Sequence, residues 1–94
     1  MKSVLTEDLE RCIFCGRKRE AIHHIFPGSR RSVSDRYGYV VPLCTECHTA
    51  SSESVHMLPN QGKDLYLKKI AQEHFESHHG DRNAFRELFL KSYL

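Results

Sequence analysis

Two pairs of cysteines with the same two-residue gap, Cys12 and Cys15 in "CIFC" and Cys44 and Cys47 in "CTEC", constrain this chain more than any other feature. A gap of two lets a tight turn aim both thiolates at one tetrahedral ion, and a second such turn supplies the remaining ligands of a closed structural zinc site. Gly16, directly after the first pair, suits a sharp turn. With 28 residues between the pairs, one ion would staple two distant stretches of chain. In a protein of 94 residues such a staple is expected, because at this size only about 60–65% of the unfolded surface can be hidden and the core is thin. Metal binding then supplies much of the folding free energy. Two other uses of the cysteines stay open at this point. Disulfides belong to oxidising compartments, and "CTECH" has the form of a c-type haem attachment, which would leave Cys12 and Cys15 without a role.

Nothing in the sequence directs export. The opening residues, "MKSVLTEDLER", carry acids where a signal peptide is apolar, and no apolar run approaches the roughly 18 residues of a membrane span. The expectation is a cytoplasmic protein with no membrane partner and no organic cofactor. Net charge is +2 but unevenly spread: residues 11–36 hold Arg11, Arg17, Lys18, Arg19, Arg30, Arg31 and Arg36 against Glu20 and Asp35. A polyanion could dock on that segment, which could equally be a solvated face.

Coarse structure follows from punctuation and periodicity. A helical turn can start at Thr6, Cys12 to Gly16 forms the first knuckle, and "EAIHHIF" reads as a strand closed by Pro27 and Gly28. The polar stretch "GSRRSVSDRYG" reads as a loop, and "YVVPL" (39–43) as a second strand whose Pro42 suits an edge or end. "ECHTASSES" can begin a short helix and "SVHMLPNQG" is a connector. From Asp64 to His79, apolar and aromatic side chains recur at Leu67, Ile70, Ala71, His74, Phe75 and His78, the spacing of one helical face, with Gly80 as the stop. Asp81 caps a last helix whose Phe85, Leu88 and Phe89 form a core stripe. His74, His78 and His79 sit near a helix C-terminus, where imidazolium is favourable. The expected fold is α+β in one domain over 1–94: a zinc-stapled core module at about 11–58 and a helical extension at about 62–94.

His23 and His24 are adjacent in the first strand, so their side chains leave on opposite faces unless the backbone bends. Two roles are therefore expected. Histidine is both a common metal ligand and a general base near neutral pH, so one of the pair can hold a cation while the other takes a proton from water beside it. His48, next to Cys47, would be positioned by the structural zinc as a third imidazole.

In its order of motifs the chain resembles the HNH endonuclease family, best over residues 12–48: "IHHIFPG" stands where that family has the strand-end His pair, and "LCTECH" stands for its closing "LCxxCH". Phage and prophage members with a downstream "VH" and a C-terminal "DR…F…F…YL" are similar at Val55, His56 and residues 81–94. The resemblance implies a ββα-metal, treble-clef-like fold with a four-cysteine zinc. It implies that His23 and His48 hold a catalytic divalent ion, with His56 as a further ligand, and that His24 is the general base. The reaction implied is hydrolysis of a DNA phosphodiester, nicking or cutting both strands, in a protein of phage or mobile-element type with DNA, and other phage proteins, as partners. The ion could be Mg2+, Mn2+, Ni2+ or Zn2+, of which imidazole suits the transition metals better. Arg30, Arg31 and Arg36 would grip flanking phosphates, with Arg17, Lys18 and Arg19 at the knuckle tip as further contacts.

Two positions depart from the family pattern. Tyr39 stands where an asparagine usually pins the loop between the strands, and Ser52 stands where a last metal ligand is often found, which makes His56 the replacement if the chain turns back after a short helix. A non-catalytic zinc-binding module for nucleic acid or protein, and an inactive HNH domain, are the competing expectations. The four cysteines serve all three; only the nuclease needs the second metal site.

Overall fold

The computed structural model describes residues 2–94. Two short strands, β1 (Ala21–His24) and β2 (Val40–Leu43), pair antiparallel, with His23 opposite Val41 and His24 opposite Val40. A sheet of two strands has only edges, so Pro42 sits opposite Ile22 without interrupting an interior ladder. Its carbonyl accepts from the Ile13 N–H at 3.0 Å, tying the first cysteine turn to the sheet. In that turn Gly16 takes a φ of 75°, a left-handed conformation that suits a residue without Cβ.

The stretch expected as a loop is partly helical. Gly28–Arg30 forms a 3-10 turn and Arg31–Arg36 a short helix, α1. A helix of six residues cannot hold itself in water. Ser34 supplies the tertiary reason: its buried hydroxyl donates to the Tyr39 carbonyl at 2.6 Å and accepts from the Phe26 N–H at 3.3 Å. One side chain thus clamps both ends of the β1–β2 connection. The Tyr39 side chain, in the position where the family pattern has asparagine, instead points at the C-terminal half and its hydroxyl meets His74 Nδ1 at 3.0 Å.

After β2, "ECHTASSES" yields only a five-residue π-helical turn, Glu46–Ala50. The chain then doubles back, with the Val55 N–H donating to the Cys47 carbonyl (2.9 Å) and the His56 N–H to the His48 carbonyl (3.2 Å). Two longer helices follow, α2 (Gly62–His78) and α3 (Arg82–Phe89). As expected, Asp81 caps α3, its carboxylate accepting from the Ala84 N–H at 2.9 Å. α2 buries Leu67, Ala71 and Phe75, as its apolar stripe requires, while Ile70 and His74 are half-buried and His78 is exposed.

α2 also buries a polar row, Asp64, Lys68 and Gln72, at steps of four. Such groups stay inside only when paired. Lys68 Nζ donates to Asp64 Oδ2 (2.8 Å) and Asn60 Oδ1 (2.7 Å), and the Asn60 N–H donates to the same carboxylate (2.6 Å). Gln72 donates to Glu76 and Ser92 and accepts from the Tyr93 N–H at 2.7 Å, which straps the C-terminal residues down.

One hydrophobic cluster runs from Cys12 through Phe26, Tyr39 and Val41 to Phe75, Phe85 and Phe89. Phe26 lies 4.4 Å from Phe89, ring centre to ring centre, so the turn after β1 is set by the C-terminal helices. The architecture is small α+β with helices packed on a two-stranded sheet. Among the described residues no helix is long and apolar enough to cross a membrane.

Candidate metal centres and the histidine cleft

The two cysteine turns bring four sulfurs together. Cys12, Cys15, Cys44 and Cys47 are all free thiols, their Sγ atoms lie within 4.8 Å of one another, and Cys15 and Cys44 approach to 3.4 Å. Zinc–sulfur bonds of about 2.3 Å put tetrahedral ligands at nearly these separations, so the residues fit a structural zinc. Electrostatics point the same way. Burial opposes ionisation of Cys12, but the backbone N–H groups of Cys44, Cys15 and Phe14 hold its thiol down at about 6. Burial, with Cys12 and Cys44 beside it, pushes Cys47 up to about 12. Four thiols in one pocket cannot all ionise without a cation among them. The disulfide pairing left open by the sequence is absent, and His48 of "CTECH" is turned toward other histidines.

Those histidines form a second cluster that could hold an ion. His23 comes from β1, His48 from the π-helical turn after the second knuckle, and His56 from the segment that doubles back. Their ligating nitrogens lie within 4.8 Å of one another. His48 Nε2 and His56 Nε2 are 3.0 Å apart, and ring centroids separate His23 from His48 by 5.5 Å and from His56 by 5.3 Å. His23 is buried, and its Nε2 has no hydrogen-bond partner among the described residues. A buried polar nitrogen without a partner costs free energy unless something binds it. Burial first, then the neighbouring His48 and His56, pushes the His23 imidazole down to about 4, so near neutral pH it is the uncharged form that ligates metals. An all-imidazole set fits zinc, nickel or another late transition ion better than magnesium or manganese, which take oxygen ligands.

Glu20 completes the arrangement. Its Oε2 accepts from His48 Nδ1 at 2.9 Å, which places the His48 proton on Nδ1 and leaves Nε2 facing His56 and His23. The backbone holds Glu20 there, since its N–H donates to the Leu43 carbonyl at 2.8 Å, extending the β1–β2 pairing. His24 Nε2 lies 3.4 Å from Asp35 Oδ1 on α1. Sequence reasoning did not assign either acid a role. The signal was present: Glu20 and Asp35 are the only acids in the basic segment 11–36, and each faces a histidine of the site.

His23 and His24, although successive residues of β1, both line one cleft. An open hollow of about 230 Å³ is lined by Ile22, His23, His24, Pro27, Gly28, Arg31, His48 and His56. It continues past His24, Gly28 and Arg31 into a larger hollow of about 500 Å³ with Ser29, Ser32 and Asp35.

The basic residues expected at the site divide. Arg31 lines both hollows. Arg30 turns away, its Nη1 donating to the Leu88 carbonyl at 3.3 Å. Arg36 is exposed at the end of α1 and lines neither hollow. Arg17, Lys18 and Arg19 stay at the first knuckle, where Lys18 bridges Arg11 and Arg19 faces Glu10 at 4.0 Å. Ser52 is exposed and outside the cluster, while His56 is inside it.

Comparison with protein-family models, with curated proteins and with solved structures finds none that matches the chain.

Proposed function

We propose that the protein is a metal-dependent DNA endonuclease of HNH type. The observation that carries this reading is the convergence of His23, from β1, with His48 and His56, from the stretch that doubles back after β2, beside His24 and Arg31 in one open cleft. A purely structural zinc module needs the four cysteines but not this second cluster.

His23, His48 and His56 would hold the divalent ion. The chemistry such an ion supplies when bound is Lewis-acid stabilisation of charge on the phosphate and its leaving oxygen. His24 takes a proton from the attacking water as oxygen bonds to phosphorus and the P–O3′ bond breaks. Asp35 faces one nitrogen of His24 and stabilises the imidazolium that forms, leaving the other nitrogen for the proton. Arg31, which lines the same hollow, would bind a phosphate oxygen with its fork of N–H donors. Contacts of this kind carry no base information, so cleavage depends strongly on salt and weakly on sequence.

The test is cleavage of supercoiled plasmid by purified, zinc-loaded protein with added Ni2+, Zn2+, Co2+, Mn2+ or Mg2+. The expected result is cleavage supported best by late transition ions, and a His24→Ala variant reduced by about 10²–10⁴-fold while it keeps both metals and its DNA affinity. A wild type inert with every ion, or a His24→Ala variant as active as wild type, would reject the assignment.

A further inference from the structure

The turn from Phe26 to Arg30 has the histidine cleft on one side and a different cleft on the other. This second cleft, about 280 Å³, has Ser29, Arg30, Asn60, Lys68, Lys91 and Tyr93 among its lining, with an apolar part formed by Phe26, Pro27, Phe89 and Leu90. Three cationic side chains line it and no acid does. Asp64, paired with Lys68 at 2.8 Å just behind the wall, offsets one of the three charges.

Hydrogen-bond donors there exceed acceptors. Lys68 spends two of its three ammonium hydrogens on Asn60 and Asp64. Arg30 spends Nη1 on the Leu88 carbonyl and its Nε is buried without a partner among the described residues, so it gives the cleft its charge rather than that N–H. The Tyr93 ring holds both lysines at the cleft, with Lys68 Nζ 5.5 Å and Lys91 Nζ 5.1 Å from its centre. A site with surplus donors and net positive charge is complementary to an anion rich in acceptor oxygens, which is the chemistry of a phosphodiester.

Its position relative to the histidines narrows the ligand. Pro27 lines both the histidine cleft and the cationic one, and Ser29 lines the cationic cleft and the hollow in front of His24. A single turn of backbone therefore separates them. Phosphates on one nucleic-acid strand follow each other every ~3.4 Å along the axis, so a strand with one phosphodiester at His24 carries others across the turn within a few nucleotides.

We infer that the cationic cleft is a second phosphodiester subsite for the same strand that enters the histidine cleft. The C-terminal helices and tail thus bind substrate through Lys68 and Lys91 as well as completing the core, and the substrate is a polynucleotide rather than an isolated diester. This inference rests on the phosphodiester reading of the histidine cleft.

Lys91→Glu in the full-length, zinc-loaded protein tests it, since Lys91 is exposed. Three quantities are read: affinity for a labelled DNA oligonucleotide as salt is varied, plasmid cleavage, and hydrolysis of bis(p-nitrophenyl) phosphate, which carries one phosphate. The expected result is DNA affinity weakened about fivefold or more at low salt and a slope of log affinity against log salt shallower by about one, both restored by Lys91→Arg. The ratio of plasmid to small-diester turnover should fall with the affinity. Unchanged affinity and slope in Lys91→Glu would overturn the subsite while leaving the nuclease reading in place. A wild type that hydrolyses neither substrate but binds DNA with a Lys91-dependent slope would support the subsite and reject the nuclease.

Discussion

Glu20 shows how much one side chain can decide. Alone it is a half-exposed carboxylate beside a knuckle; against His48 it selects which imidazole nitrogen carries the proton and which is offered to an ion. Glu20→Gln should weaken binding of the second ion by about 10–100-fold while the four-cysteine zinc stays bound, as measured by competition with a chromophoric chelator. Unaltered affinity would reduce Glu20 to a surface ion pair. His74 gives a second test at this scale. Partial burial, then the neighbouring His78 and His79, lower its pKa from the ordinary 6.5. The folded chain then binds that proton less tightly than the unfolded chain. Its contribution to stability is complete above about 6.5 and is lost as pH falls through the lower folded value. An NMR titration of the ring protons should place His74 below an ordinary histidine, and His78→Gln should move it back up. A midpoint that ignores His78 would mean that charge repulsion has no part in it.

Among the elements, α2 carries the most unusual load. Its buried face mixes Leu67, Ala71 and Phe75 with the paired Asp64 and Lys68, which are 4% and 6% exposed. The pair does more than cross one turn of helix. Asp64 also accepts from the Asn60 N–H, and Asn60 adopts a left-handed φ of 61°, so the ion pair fixes how the connector after His56 enters α2. Removing one partner strands the other charge. Asp64→Ala should cost about 3–5 kcal/mol in urea unfolding of the zinc-loaded protein, and replacing Asp64 and Lys68 together by apolar residues of similar volume should cost much less. Equal losses in the two variants would show that packing, not the stranded ammonium, sets the cost.

At the scale of the whole molecule, the cysteine site and the aromatic cluster divide the task of holding the chain. The four sulfurs join the first knuckle to the end of β2, and Phe26, Phe85 and Phe89 join the β1 turn to α3. In a chain this small the core is thin, so the metal is expected to carry a large share of the folding free energy. A high-affinity zinc chelator should therefore unfold the protein, read as loss of the far-ultraviolet helical signal, and added zinc should restore it. Retention of the full helical signal after verified zinc removal would show that the aromatic cluster folds the C-terminal half unaided.

Much of this was legible in the sequence because the signals were local. The cysteine spacing specified four ligands for one metal, β1 and β2 lie inside the expected strands, and the three-and-four periodicity with Gly80 and Asp81 gave α2, its stop and the cap of α3. What escaped was set by side-chain contacts that neither residue type nor periodicity specifies. α1 exists because Ser34 reaches Tyr39 and Phe26, not because its own residues favour helix. The polar row on α2 is invisible to a pattern that equates burial with apolarity, since specific partners make it tolerable inside: Asp64 and Lys68 pair across one turn of the helix, and Gln72 bonds Ser92 and Tyr93. Sequence by itself determined which side chains could bind metal and named His56 as the further ligand; the tertiary structure decided that the chain turns back to bring His56 to His48, that Glu20 faces His48 and Asp35 faces His24, and that Arg30 turns inward. Ligand chemistry is a property of residue type, whereas convergence depends on where the folded backbone turns back.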